Sequence, residues 1–340
     1  MNDSIIKMQN FRIRTSNRDM VEYLIGEGKF LPGTCGVKAI GADVPLTTAK
    51  AFFPKDNSPD IRLNTCMGKY HIIGLDEPVM PDQPGPNKPF TFREITYEDV
   101  KRWIRSSLTK NEGSFWFFLK PYSAIFIRKE TRDRVLRDFG IDISLLFPAA
   151  DCAVIRFYCE DEEIMGITHA DTERAANGLI PACADFIKRK FHVPPEKVCV
   201  FVSSFASRNY KFTVNPPKWG VKLDENKQPI KDSNGLPILR PEWEGYINFE
   251  MENGILVSRI DYGRKIKDEI KKANFSSDRL SFARYCTIGN SDYYSNSDAA
   301  NIEGSPAGRN IMFGAFPTTP NGNSKILIKA NRRSNNIYIE

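Results

Sequence analysis

A chain of 340 residues with 41% hydrophobic and 26% charged side chains has the composition of a globular protein, long enough for one large domain or two smaller ones. Its net charge of +6, from 48 basic and 42 acidic residues, is spread without a dense Lys/Arg block; this argues against nucleic-acid binding and leaves room for small anionic ligands. No apolar run reaches the roughly 18 residues of a membrane span, and the first residues, MNDSIIKMQNFRIRTSNRDM, lack the apolar centre of a secretory signal. No membrane association and a cytoplasmic location are therefore expected.

Residues 1–60 show little pattern beyond the turn-rich FLPGTCGV and are expected to pack as an N-terminal segment on a core domain spanning 61–316. YHIIGL has the character of a strand. The proline-rich PVMPDQPGPNKP, residues 78–89, reads as a loop insertion. In TYEDVKRWIRSSL, residues 96–108, Val100, Trp103, Ile104 and Leu108 are spaced like one helix face. FWFFLKPYSAIFIRK reads as strand, and ETRDRVLRDFG as a short helix closed by Gly140.

From residue 141 the pattern turns β-rich. IDISLLFP, CAVIRFYC, EEIMGITH and KVCVFVSS are short apolar runs bounded by charge or proline, each predicting a strand. DTERAANGLIPACADFIKRKF follows helical spacing, and Pro181 is expected to kink that helix or restart it. NPPKWGVKLDENKQPIKDSNGLP, residues 215–237, reads as a second, flexible polar insertion. No internal repeat stands out. Strand YINFEM, helix DYGRKIKDEIKKANF, strand LSFARYC, a Gly/Ser/Asn-rich stretch at 288–308, strand NIMFGAF and a tail at 317–340 complete the chain. The mixture predicts an α+β fold, a layered sandwich of mixed β-sheets with flanking helices.

Seven cysteines without regular spacing, in a chain too long to need staples, predict reduced thiols. The three histidines are His71, His169 and His192. In DCAVIRFYCEDEEIMGITHA, two strand-like runs flank an acidic turn. With Glu160 and Asp161 at that turn, Cys152 faces His169 across the hairpin, at a Cβ separation of roughly 4.5–5.5 Å. A thiol and an imidazole so placed could share a metal ion or a proton, or could fill space in a core. Cys159, Cys183 and Cys199 alternate with apolar residues and read as core. His192, in RKFHVPPEK, reads as a loop or helix-capping residue.

His71, the Ala-Asp-Cys of AADC (149–152) and the Thr-His-Ala of 168–170, in that order, resemble the YfiH-like laccase-domain family, also called multicopper polyphenol oxidase or purine nucleoside phosphorylase proteins. FASRNYKF sits where that family has G-P-C-C-Y-E-V, sharing Tyr210. RIDYGRKIKDEIKKANFSSDRLSFARYCT resembles its L-D-L…N-R…CT stretch, and Gly308 with Arg309 matches a late G-R pair. The ordered set covers most of 60–316.

The resemblance implies an open zinc site with His71, Cys152 and His169 as ligands. It implies phosphorolysis of adenosine- or inosine-type nucleosides, and adenosine deamination. Asp151 would assist at the catalytic centre, while Arg174, Tyr210 and Arg309 would meet purine nucleoside and phosphate. Copper is disfavoured, because three ligands cannot build a multicopper cluster. This sequence departs from the family at Glu173, which stands where an Arg belongs, at Lys69 for a Gln, at Lys211 for a Glu, and at SNSD (295–298) for S-Y-R-R. Lys69 and Lys211 could supply positive charge to an anion. The implied fold is also like that of the deamidase domain of cytotoxic necrotizing factor toxins and of the chemotaxis glutamine deamidase. Two alternatives therefore stand: a Cys152 nucleophile with His169 as base, and a non-catalytic protein that keeps the fold.

Overall fold

The computed structural model describes residues 13–14, 20–26, 29–38, 70–74, 89–108, 116–118, 122–139, 142–159, 161–203, 205–206, 210–212, 217–282, 286–289, 295, 297–298, 302, 310–315, 328–331 and 336–339. For 13–74, 116–118, 210–212 and 310–339 the description is of backbone pairing. The elements in chain order are β1 (Ile13–Arg14), β2 (Met20–Gly26), β3 (Lys29–Lys38), β4 (Tyr70–Gly74), β5 (Phe92–Ile95), α1 (Tyr97–Leu108), β6 (Trp116–Phe118), β7 (Ala124–Arg128) and α2 (Lys129–Phe139). They continue with β8 (Asp142–Ala149), β9 (Ala153–Cys159), β10 (Ile164–Ala170), α3 (Thr172–Ala176), α4 (Leu179–Phe191), β11 (Cys199–Val202), β12 (Tyr210–Phe212), β13 (Ile247–Glu252), β14 (Ile255–Ile260), α5 (Tyr262–Lys272), β15 (Leu280–Phe282), β16 (Asn310–Ala315), β17 (Ile328–Asn331) and β18 (Asn336–Ile339). The predicted loop at 78–89 lies outside the described residues apart from Pro89, and so does Gly140.

Among the described residues, one seven-stranded sheet runs β1-β2-β3-β16-β8-β4-β6 and a second, six-stranded sheet runs β15-β11-β9-β10-β7-β5. Both are mixed: β4 is parallel to β8 and β6, and β5–β7 and β11–β15 are parallel pairs among antiparallel neighbours. The second sheet is covered on both faces. Val154, Tyr158, Met165 and Ile167 pack with Ile143, Leu145 and Phe147 of β8, filling the space between sheets. The alternate residues Ala153, Ile155 and Phe157 pack on α4, α5 and the three-stranded β12-β14-β13 meander. This double coverage explains why β9 and β10 read as continuous apolar runs rather than alternating ones. The predicted layered α+β sandwich is the observed architecture. Gly166 makes room for the ring of its β7 partner, since a Cβ there would lie 2.2 Å from the Phe126 ring.

Two expectations are corrected. The connection between the paired residues Cys159 and Ile164 is four residues long rather than two, with Glu163 at φ 48°. That moves the register, so His169 pairs with Val154 and not with Cys152. Of the two outcomes expected at Pro181, the restart is the one observed. The break falls at Gly178, φ 85°, and α4 starts at Leu179, so Pro181 sits in the first turn, where its missing N–H leaves no helical bond unmade.

The insertion at 215–237, described from Pro217, is ordered by its own hydrogen bonds and hides a tandem repeat. In DENKQPIK and DSNGLPIL, the side chains of Asp224 and Asp232 each accept from two amides, Asn226 and Gln228 in one, Asn234 and Leu236 in the other. Each unit has one positive φ, at Lys227 and at Gly235. Residues eight apart then close a backbone ring: Ile230 donates to Lys222, Ile238 to Ile230, and Lys222 to Ile238. The base of the insertion packs Trp219 on Trp243, and Trp243 lies under the buried Lys265.

Candidate functional site

The chain passes from the first sheet to the second between Ala149, the end of β8, and Ala153, the start of β9. Ala150, Asp151 and Cys152 make that crossing. Other segments gather around it. Ala206 donates its amide to the Asp151 carbonyl, 2.9 Å, and Thr287 donates its amide to the Phe205 carbonyl, 3.0 Å. Cys286 pairs with Phe205 in an isolated bridge and is half-buried.

Asp151 is 8% exposed, and its carboxylate holds this end of the molecule together. The Thr287 hydroxyl donates to Oδ1 at 2.8 Å and the Ser297 amide to Oδ2 at 2.8 Å, with Ser295 as a further partner. Burial pushes its ionisation above the usual carboxylate range, while the donors from Ser297, Thr287 and Ser295 pull the other way.

Cys152 is half-buried and sits in the bend one residue before the ladder, close enough to Tyr262 to add to the rise of its phenol. His169, paired with Val154, is 6% exposed, and its ring stacks on Phe147 at 4.5 Å between centroids and 20° between planes. Cys152 stands two residues before the partner of His169, so the two occupy diagonal positions at the end of the hairpin rather than the directly facing ones expected. Diagonal positions on paired strands are roughly 7–8 Å apart, against 5 Å for a direct pair.

Beyond His169 the chain turns into α3. Asp171 caps it by accepting from the Arg174 amide at 2.7 Å, and Arg174 Nε lies 3.4 Å from its other oxygen. Arg174 is therefore already engaged with a carboxylate. Burial pushes the Asp171 and Glu173 carboxyls up; Arg174 counteracts this at both, and Arg240 at Glu173. His71 has its backbone in β4, paired with Ile143 of β8, four residues before Phe147; its side chain lies outside the described residues. Tyr210 and Lys211 have their backbones in β12, opposite Ile260 and Arg259, and their side chains also lie outside. Arg309 and Lys69 lie wholly outside. Among the described residues, no three His, Cys, Asp or Glu side chains form a cluster able to hold a metal.

Cys159, Cys183 and Cys199 pack within the layers. Burial pushes the Cys159 and Cys183 thiols up, and Cys199 is half-buried beside Arg279. His192 is the left-handed C-cap of α4, as its setting beside two prolines predicted. Tyr262 escaped the sequence reading. Its hydroxyl donates to the Ala170 carbonyl and accepts from the Ala153 amide. Burial, with additions from Cys152 and Asp171, pushes its ionisation well above the ordinary range, so the phenol keeps its proton. The available signal was the pair of small residues, Ala153 and Ala170, next to the two site residues.

Two stacked mixed sheets with helices on the outer face of the second are the fold of the YfiH-like proteins, as the motifs implied. The chain is similar to the crystal structure of the YfiH protein of Bacillus licheniformis, with 15% identity, 83% of this chain and 92% of that one covered, and a TM-score of 0.53. It is similar also to YlmD of Geobacillus stearothermophilus, with 12% identity, 89% and 98% covered, and a TM-score of 0.54. No family model and no curated protein matches the sequence. Among the described residues, no helix is long and apolar enough to cross a membrane.

Proposed function

We propose that the chain is a divergent YfiH-like enzyme in which Cys152, His169 and His71 hold zinc and act on purine nucleosides. The half-buried Cys152 thiol, at the strand end beside the ring-stacked His169, carries the reading. Thiolate and imidazole are donors suited to zinc. Their diagonal spacing suits an intervening ion, since bonds of about 2.3 Å to sulfur and 2.0 Å to nitrogen, added to the side-chain lengths, span roughly 8 Å.

Zinc bound there would supply a Lewis acid that orients phosphate or activates water. Asp151 would fix the segment that carries the thiol, and Tyr210 would stack on the base. Arg309 would meet the phosphate, and Arg174 shares its charge with Asp171. In phosphorolysis the N-glycosidic bond breaks as a phosphate oxygen bonds to the ribose anomeric carbon, and the base departs with a proton. In deamination, water adds to the purine carbon and ammonia leaves. A cytoplasmic location fits a thiol that must stay reduced.

The test is metal analysis of protein purified without chelator, with adenosine and inosine turnover measured with and without phosphate. Near-stoichiometric zinc, lost in Cys152→Ala and His71→Ala, is expected together with turnover. Bound zinc without turnover would leave a non-catalytic binding protein. A second reading rests on the described pair needing no third donor. Here the Cys152 thiolate bonds to an amide carbon, ammonia leaves with a proton from His169, and water cleaves the thioester. Metal-free protein alkylated selectively at Cys152 would favour it.

A further inference from the structure

The β9–β10 ladder ends at the pair Ala153–Ala170, directly beside Cys152 and His169. Val154 turns its amide to the Ser203 hydroxyl, 2.9 Å, and its carbonyl to the Ser203 amide, 2.9 Å, on the β11 side. Backbone groups alternate along an antiparallel strand, so Ala153 directs its amide toward Ala170, its partner in the last rung of the ladder. The Tyr262 hydroxyl sits at that rung, donating to the Ala170 carbonyl and facing the Ala153 amide.

The two alanines are fully buried on the helix side of the sheet, and the space beside their methyl groups takes a ring. Tyr262 is the first residue of α5, 1% exposed, packed edge-on against Phe205 at 5.3 Å. Its ring is held by the helix layer while its oxygen braces the last rung of the strand pair.

We infer that Tyr262 is a positioning residue whose hydroxyl pins Ala153 to Ala170 and thereby sets the separation between the Cys152 sulfur and the His169 ring. The inference rests on the reading of Cys152 and His169 as the working pair. Tyr262 touches neither substrate nor metal in this role. Removing its oxygen unties the Ala153–Ala170 rung from α5 and lets the end of the ladder fray, which loosens the thiol and exposes it.

Tyr262→Phe keeps the ring and removes only the oxygen. Its affinity for zinc, read by chelator competition, is expected to fall by up to about tenfold, the lower end of the loss seen when a partner bonded directly to a ligand is removed. Cobalt in place of zinc is expected to show altered visible bands, reporting changed ligand geometry. Ile266→Val, a core change on the same helix, is expected to lower thermal stability without moving either readout. Unchanged affinity and spectrum in Tyr262→Phe, with Cys152→Ala still abolishing binding, overturns the inference and leaves the zinc reading standing.

Wild-type protein that binds no zinc overturns the zinc reading, and the inference is then read by alkylation. Cys152 in Tyr262→Phe should react faster relative to Cys286 in the same molecule, and an unchanged ratio overturns it. Should Tyr262→Phe fail to fold, amide exchange of the wild type decides: protection at Ala153 matching that at Ile155 supports the pin, and free exchange at Ala153 overturns it.

Discussion

Asp151 shows how the candidate site is held. Its two oxygens are occupied by donors 136 and 146 residues away, so the crossover carrying Cys152 is tied to the segment around residues 287–297. Asp151→Ala would leave the Thr287 hydroxyl and Ser297 amide buried without that acceptor, at a cost of about 1–3 kcal/mol. Urea denaturation checks it, and Asp151→Asn, which retains one acceptor oxygen, should lose less. The Ala-Asp-Cys and Thr-His-Ala motifs made this corner legible in the sequence, because both lie within one hairpin. Tyr262 and Thr287 were not legible: Tyr262 reaches Ala170 across 92 residues, and no local spacing encodes that meeting.

Elements buried on both faces were easy to read, and elements held by polar bonds were not. CAVIRFYC and EEIMGITH declared themselves by continuous apolar runs. Phe92–Ile95, the sequence FREI, was passed over because it is short, lies at the sheet edge and carries two charges that form ion pairs, Arg93 with Asp99 and Glu94 with Arg128. The eight-residue repeat stayed hidden because it is written in Asp, Asn and Pro spacing rather than in hydrophobic periodicity.

The repeat leads into β13 through Tyr246, whose hydroxyl donates to Asp268 Oδ2 at 2.7 Å while Lys265 Nζ lies 4.9 Å from its ring centre. Burial and the bond to Asp268 push its phenol up to about 12 from 10.0. A proton held more tightly in the folded state stabilises fully below the unfolded value and is lost as pH rises through the folded one. Wild-type stability should therefore fall between pH 10 and about 12 more steeply than that of Tyr246→Phe, as read by denaturant titration across that window.

At the scale of the molecule, the ring at 222–238 is an appendage whose ends meet. Val221 bridges Leu239, and the Arg240 amide donates to Gly220 at 3.0 Å. Replacing residues 223–237 by Asn-Gly, a two-residue hairpin turn, should preserve the layers. Calorimetry should find the thermal midpoint shifted by no more than about 5 °C, equivalent to roughly 3–4 kcal/mol in a protein of 340 residues. A larger fall would show that the ring braces the helices through Trp219 and Trp243.

The crossover at residues 150–152 has a mechanical corollary. The sulfur is bonded through the backbone to both sheets, whereas the imidazole rides on the second sheet and leans on the first through Phe147. Any sliding of one layer over the other changes the gap between sulfur and ring directly. A guest bridging them would act as a brake on that shear, and the stiffness of the whole sandwich would report its arrival.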